Sequence, residues 1–376
     1  MLDFTSASYL GSEFSSIDFN LKTPLTLGKP AFLKEPLLNR WVANQIAQMQ
    51  GLERGILAPS SLHLFWDLFG ILSKNYVVFI EENTYPIGQW GTIHADARQL
   101  PVIRFKPENL SDLRKNIQKY CHNNLKPLIV CDALNIDSGK LAPIKEYLSI
   151  VETLNGNLLI DDTQTFGIFG VSQNQENFGF GGGGVLKYTN IYSPKILTIN
   201  SLSKAFGIPV AVLAGNADII KSFEKNSLTR VHNSAVSAAH TLVTAHILRK
   251  NQQIGDKLRQ KLWNNIQYFR KNLVRLGSQK PINGIFPVQK VLLIYPNSAL
   301  LIYQKLLENN IECLLLAPTS KHPRPSIAFC FRADHNFNDI DYLLAVLRKI
   351  IKKEDTPQTF FITKTSLSHE RRNYQK

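Results

Sequence analysis

The stretch Ser201-Leu202-Ser203-Lys204-Ala205-Phe206-Gly207 follows the apolar run Ile196 to Ile199. Its lysine stands just past the end of a predicted buried strand, where an ammonium is costly unless its charge is paired or its amine is covalently engaged. A second such end lies upstream, where Leu158-Leu159-Ile160 runs into Asp161-Asp162-Thr163-Gln164. Taken singly, Asp161 reads equally well as a helix cap or a surface acid, and Lys204 as a solvated loop residue. Together they put an amine and a carboxylate at strand ends of one open sheet, the place where such sheets bind ligands. Pyridoxal 5′-phosphate needs that pair: a lysine for the Schiff base, and an acid that keeps the ring nitrogen protonated so that the ring can act as an electron sink. Asp161 is preferred over Asp162 for the second role because it follows the strand directly.

The sheet is predicted from six β-rich runs, Tyr76 to Ile80, Val102 to Phe105, Leu128 to Cys131, Leu158 to Ile160, Ile196 to Ile199 and Val210 to Ala214. Helical stretches separate them. The clearest is Pro143 to Leu154, with Ile144, Tyr147, Leu148, Val151 and Leu154 on one face and Gly156 just beyond. Continuous apolar strands alternating with such helices indicate an α/β protein with a mostly parallel sheet covered on both faces. A further helix is predicted ahead of the sheet, from about Ala31 to Met49, ending near Gly51.

From Ala238 onward the texture changes. A long helical region carries Ile254, Leu258, Leu262, Ile266, Phe269, Leu273 and Leu276 and stops at Gly277. Strand candidates Val291 to Tyr295, Cys313 to Leu316 and Ile327 to Phe331 follow. A last helix is expected to start at Asn338, a good N-cap with Asp341 three residues on. The expected organisation is an N-terminal arm (1–35), a large cofactor-binding domain (36–235), a smaller C-terminal α+β domain (236–355) and a loose basic tail (356–376).

Composition narrows the function classes. The 376 residues suit two domains better than one, and no apolar run reaches the length of a membrane span. Met1 is not followed by a signal segment, so a cytoplasmic protein is the default. The four cysteines, Cys121, Cys131, Cys313 and Cys330, have no paired spacing; buried free thiols are expected, and no metal site. The net charge is +14. Such a charge suits nucleic acid, an anionic surface or a polyanionic substrate such as a coenzyme A thioester. Its densest cluster lies in the tail, and no helix-turn-helix, zinc-finger or RNA-binding signature accompanies it, so no nucleic-acid partner is expected. The run Gly179-Phe180-Gly181-Gly182-Gly183-Gly184 matches GxGxxG, yet no strand runs into it and no helix clearly opens from it. It reads as a flexible loop, not a dinucleotide fingerprint.

Three segments carry a family resemblance. Cys131-Asp132-Ala133-Leu134-Asn135-Ile136-Asp137-Ser138-Gly139-Lys140-Leu141-Ala142-Pro143 resembles the segment that precedes the cofactor acid in the α-oxoamine synthases. Asp161 to Gly170 resembles their D-D-A-H-G-x-G-x-x-G signature, and Ser201 to Gly207 their cofactor-lysine segment. These synthases, the 8-amino-7-oxononanoate synthase group, are pyridoxal-phosphate enzymes of fold type I. The resemblance is good from about residue 50 to 215 and weaker in the last third.

The resemblance implies roles by position. Lys204 carries the cofactor, and Asp161 pairs with the pyridinium. Gln164 stands where the family has a histidine near the phenolic oxygen; its amide donates a hydrogen bond but does not titrate. Asn135 falls where a small polar residue faces the same oxygen. Ser60 and Ser61, in Ala58-Pro59-Ser60-Ser61-Leu62-His63, match a turn that offers backbone N–H groups to the phosphate at a helix N-terminus. Ser201 adds a hydroxyl, and Tyr85 lies where an aromatic ring stacks on the cofactor. His232-Asn233-Ser234 resembles a stretch that reaches a neighbouring subunit's phosphate, and a homodimer is implied.

Two departures stand out. The family's early N-Y-L-G reads Ser8-Tyr9-Leu10-Gly11. The segment that supplies an arginine for the substrate carboxylate reads Pro325-Ser326-Ile327-Ala328-Phe329, which leaves Arg324 or Arg332 as substitutes. The expected activity is condensation of an amino acid with an acyl-coenzyme A thioester with loss of carbon dioxide. An aminotransferase or amino-acid lyase on the same scaffold, and a non-catalytic partner subunit, are the rivals.

Overall fold

Strands buried on both faces are apolar at every position, and the computed structural model shows why these runs are continuous. It describes residues 1–11, 14, 24–107, 109–122, 124–174, 177–275, 284–291, 298–318 and 325–354. Fourteen strands are described, and we number them in chain order. The central sheet is built from β2 (Arg54–Ala58), β3 (Tyr76–Glu81), β4 (Val102–Phe105), β5 (Lys126–Asp132), β8 (Asn157–Asp161), β9 (Ile196–Ser201) and β10 (Ala211–Gly215). Its order is β2-β10-β9-β8-β5-β3-β4, and β10 alone runs against the rest. Alternate residues feed two separate cores. Val78, Ile80, Val130, Leu159 and Ile199 pack beneath helices 61–71, 86–97 and 217–226. Val77, Phe79, Ile129, Ile160 and Val212 face the other core, which includes Val42 and Ile46 of helix 37–50 and Tyr147 and Val151 of helix 144–153.

The six predicted runs match their strands to within two residues at each end. β2 went unpredicted. The helix expected from Ala31 begins at Leu37, after Pro36, because a proline disfavours helical backbone at the residue before it. The last helix, Phe337–Glu354, starts before the expected Asn338. Asn336 is its cap: its Oδ1 accepts from Asp339 N–H at 3.0 Å, and its own N–H donates to Asp339 Oδ2 at 2.9 Å.

The C-terminal part holds helices 238–250 and 256–275, joined by a π-helical turn at 251–255, and a three-stranded antiparallel sheet. That sheet is ordered β11-β14-β13, with β11 at Val288–Val291, β13 at Leu314–Leu316 and β14 at Ser326–Cys330. The expected strand over 291–295 is thus displaced towards its start, and residues 292–295 lie outside the described residues, as do Leu276, Gly277 and the basic tail. Two short pairs complete the strands: β6 (Leu134–Asn135) with β7 (Lys140–Leu141), and β1 (Leu2–Asp3) with β12 (Ile311–Glu312).

The glycine run is not a loose loop. Val171 and Phe180 bridge in antiparallel fashion, as do Phe166 and Gly183. A short helix, Val185–Thr189, does open from Gly184, and Asp162 accepts from its Val185 N–H. Gly184 has φ +83°, and a Cβ there would lie 2.0 Å from Asp162 Oδ2, so only glycine fits. The guanidinium of Arg259, 1% exposed, donates to Gly167 O at 3.0 Å and pairs with Asp256, which accepts in turn from Gly181 N–H at 2.8 Å.

The first residues are not a free arm either. β1 adds to β12, Phe4 O accepts from Cys330 N–H at 2.7 Å, and Tyr9 O accepts from Ala333 N–H at 2.8 Å. Phe4 is fully buried among Phe329, Phe331 and His335. We therefore expect Phe4→Ala to destabilise the protein by about 3–5 kcal/mol in denaturant unfolding, as for a core phenylalanine. A loss under about 1 kcal/mol would mean that these residues only rest on the surface.

Candidate active site

Two turns at the carboxyl ends of β8 and β9 are locked together. Thr163 N–H donates to Asp161 Oδ1 at 3.0 Å, and Thr163 Oγ1 accepts from Ser201 N–H at 3.0 Å. Gly167 has φ +84°, and a Cβ built on it would come within 2.5 Å of Ala205 Cβ, so the turn after Asp161 sits directly against the turn of Lys204. Phe166 and Phe206 cross edge to face at 5.4 Å. The Lys204 loop is closed by Leu202 N–H to Val210 O at 2.8 Å and Ile208 N–H to Leu202 O at 3.1 Å. Lys204 is consequently held in place by packing on either side, half-buried, with its charge acting on Asp161.

Acids collect at this end of the sheet. The register sets Asp132 opposite Asp161 across the β5–β8 ladder, and Glu81 ends the next strand. Burial pushes the Asp161 carboxyl up, against the downward pull of its Thr163 hydrogen bonds and of Lys204. Asp132 is pushed well above the usual range by burial and by the charge of Asp161. Its Oδ2 accepts from Tyr85 N–H at 2.9 Å, while its Oδ1 is buried without a partner among the described residues. Asp162 points elsewhere, to Thr165 and Val185, and burial raises it to about 8.

The other expected residues fall in different places. Gln164 Oε1 accepts from the buried Tyr9 hydroxyl at 2.9 Å, which turns the amide NH₂ away from Tyr9. Tyr85 begins helix 86–97 beside Asp132 with half its surface exposed. Ser60 is the N-cap of helix 61–71, but its hydroxyl bonds His63 Nδ1 at 2.9 Å and makes no cap bond, leaving the first-turn N–H groups of Ser61 and its neighbours for another acceptor. Ser201 Oγ lies 2.8 Å from Ser203 Oγ. Asn135 is used locally, its Oδ1 accepting from Asp137 N–H at 2.9 Å and Ser138 N–H at 3.1 Å. Arg332 is shared between Asp3 at 2.5 Å and Asp334 at 2.8 Å, so its guanidinium is already engaged by two carboxylates. Arg324 lies outside the described residues. In β14, Ala328 stands opposite Lys290 of β11. Ser234 bridges to Pro30, and His232 and Asn233 are exposed. Tyr9, Thr163 and Asp132 escaped the sequence reading; Asp132 ends an apolar run just as Asp161 does.

These residues fit pyridoxal phosphate. A buried carboxylate facing a lysine suits the ring nitrogen, an uncapped helix N-terminus suits a phosphate, and a half-exposed tyrosine beside them offers a ring face. No group of three His, Cys, Asp or Glu residues that could hold a metal ion occurs among the described residues.

The paired acids have a pH signature. Asp132 holds its proton to a higher pH in the folded protein than in the unfolded chain, so its ionisation opposes folding. Stability is full below the ordinary carboxylate range and is lost as the pH rises. In cofactor-free protein, Asp132→Asn should therefore gain in melting temperature over the parent, and the gain should widen between about pH 5 and about pH 8. A gap that stays constant or narrows would show that Asp132 ionises alike in both states.

The model of the family "aminotransferase class I and II" matches residues 92–347 of this chain. The chain is similar to the 8-amino-7-oxononanoate synthase of Thermosipho melanesiensis, 24% identical over 250 residues covering 66% of this chain and 61% of that protein. It is also similar to that of Petrotoga mobilis, 25% identical over 255 residues covering 67% and 62%. The matched stretch thus spans about three-fifths of either relative. Among solved structures, the 8-amino-7-oxononanoate synthase of Francisella tularensis superposes with a TM-score of 0.71 at 20% identity, covering 95% of this chain and 99% of that one. Serine palmitoyltransferase of Sphingomonas wittichii gives 0.80 at 16% identity, covering 94% and 88%. With strand ends, lysine and acid arranged as above, the chain belongs to the aminotransferase class I and II family of pyridoxal-phosphate transferases.

Proposed function

We propose that the chain is a pyridoxal-phosphate-dependent acyltransferase of the α-oxoamine synthase kind. It joins an amino acid to the acyl group of a coenzyme A thioester and releases carbon dioxide. The observation that carries the reading is the meeting of Lys204 and Asp161 at adjacent strand ends, where the ammonium acts on the carboxyl. The similarity to 8-amino-7-oxononanoate synthases supports the choice of reaction.

When bound, pyridoxal phosphate supplies an electron sink for negative charge at the amino acid's Cα. Asp161 holds the proton on the ring nitrogen, and that cation reverses the cost of ionising a buried carboxyl. The backbone N–H groups of Ser60, Ser61 and their neighbours, with the Ser201 hydroxyl, bind the phosphate, and Tyr85 covers a ring face. Gln164 donates its amide N–H to the phenolic oxygen, a fixed neutral hydrogen bond in place of a titrating one. Lys204 holds the cofactor at rest. With an amino acid bound, its Nζ would be placed to take the proton from Cα as a neutral amine.

The working unit in this reading is a homodimer, and its place is the cytoplasm. Leu62 and Trp66 of helix 61–71, Trp90 and Ile93 of helix 86–97, and Leu228 and Val231 of helix 228–232 are all exposed, on elements next to Ser60 and Tyr85. Exposed apolar side chains gathered on neighbouring helices support an interface there. The cysteines are free, and no helix among the described residues is long and apolar enough to cross a membrane.

Purified protein given pyridoxal phosphate should turn yellow, and Lys204→Ala should not. Carbon dioxide release from carboxyl-labelled amino acids should require an acyl-coenzyme A and fall about a thousandfold in Lys204→Ala. Amino transfer to a 2-oxo acid without carbon dioxide release would mark an aminotransferase instead. Sedimentation should give a dimer, and the double variant Trp90→Glu, Ile93→Glu a monomer that loses the cofactor.

A further inference from the structure

Lys290, in β11, is 3% exposed. Lysine is almost never buried so deeply unless it is well paired. Among the described residues its acceptor is Asp137 Oδ1 at 3.4 Å, near the limit of a hydrogen bond, and the Asp137 side chain is 37% exposed. An ammonium has three N–H donors, so this one is under-used where it stands.

The ladder shows what Lys290 faces. Lys290 is opposite Ala328 and Val288 opposite Cys330, so these four side chains leave one face of the C-terminal sheet. The other face, through Phe329, meets the rings of Phe4 and Phe269 at 5.9 and 5.8 Å. The Lys290 face is turned to the hairpin that follows Asp132, where Asp137 lies. Burial raises the Cys330 thiol to about 12; the charges of Lys204 and Arg332 draw it down and that of Asp3 raises it. Ala328, opposite Lys290, carries only a methyl and offers the ammonium no acceptor.

Other cations nearby are committed. Arg332 is held by two carboxylates, and Arg259 by Asp256, Asn251 and Gly167 O. An anion entering here is also repelled by Asp161 and Asp132 at the strand ends, so it must be held on the side of the C-terminal sheet. We propose that Lys290 binds the carboxylate of the amino-acid substrate, with Asp137 as the resident counter-ion that the substrate displaces. The assignment rests on the reading of Lys204 as the amine that carries the cofactor.

The test uses protein loaded with pyridoxal phosphate and three matched probe pairs: glycine and methylamine, L-alanine and ethylamine, L-serine and ethanolamine. Each pair shares an amine and differs by the carboxylate, and binding is read from the visible spectrum. In the unmutated protein the acid should bind more tightly than its amine in at least one pair. Lys290→Met should cut that preference by about ten- to a hundredfold, the range for a lost charged hydrogen bond, and leave the amine unchanged. Lys290→Arg should retain most of it. Asp137→Asn should shift the preference towards the acid, and it decides the matter should Lys290→Met fail to fold. An undiminished preference in Lys290→Met, an unchanged one in Asp137→Asn, or no preference in the unmutated protein overturns the assignment. An unmutated protein that shows no cofactor band at all overturns the acyltransferase reading and the assignment with it, so the two failures are distinct.

Discussion

The register of β5 against β8 sets Asp132 opposite Asp161, and that pair of carboxyls governs the carboxyl end of the sheet. Adjacent strands lie about 5 Å apart. Two full charges at that spacing repel by about 3 kcal/mol at an effective dielectric near 20. The single ammonium of Lys204 offsets a repulsion of that size for one acid only. A second cation is called for, and the protonated ring nitrogen of the cofactor is one. Both acids keep raised carboxyls without it. The cost is stored where the chemistry happens, and the frame around it is built to resist relaxation: Thr163 ties the two turns, Gly167 lets them touch, and Phe166 and Phe206 brace them.

That frame extends to the N-terminus. Asp3 pairs with Arg332, Phe4 fills the pocket among Phe329, Phe331 and His335, and Tyr9 reaches Gln164. The first ten residues thus join the C-terminal sheet to the turn after β8. A histidine at position 164 would have two ring nitrogens and a tautomer to settle. A glutamine has an amide that either end could present, and the Tyr9 hydroxyl settles the matter by occupying the oxygen. The substitution and its distant partner make one unit.

Legibility followed the range of the interactions. The strands that carry Asp161 and Lys204 were readable because burial on both faces forces unbroken apolar runs. β2 was not, since Arg54-Gly55-Ile56-Leu57-Ala58 becomes a strand through β10, more than 150 residues on. The last helix had two equivalent starts, Asn336 with Asp339 and Asn338 with Asp341. Only the path of the chain chooses between such repeats. Phe4 and Tyr9 belong to no periodic element, so their burial left no pattern. At the site, Lys204 and Asp161 could be found from local context, whereas Thr163 is explained by Ser201 and Gln164 by Tyr9, partners 38 and 155 residues away. Asn135 differs from Gln164 in that its oxygen is held by its own turn, so a local partner sets the direction of its amide.

The distribution of charge gives the carboxyl end of the central sheet a polarity. Carboxyls stand at the ends of β3, β5 and β8 and Lys204 in the loop after β9, while Lys290 stands on the C-terminal sheet. An amino acid carries both signs a few bonds apart, and its carboxylate is repelled by the acids and drawn to Lys290. Its ammonium end is left nearest the lysine loop and the acids. A zwitterion is oriented by such a field before any contact forms, whereas a simple anion such as the thioester's phosphates gains only from the cationic side. Asp137 fits this scheme as a placeholder. It neutralises Lys290 loosely and from a half-exposed position, so a substrate carboxylate can replace it without exposing a bare charge to the core.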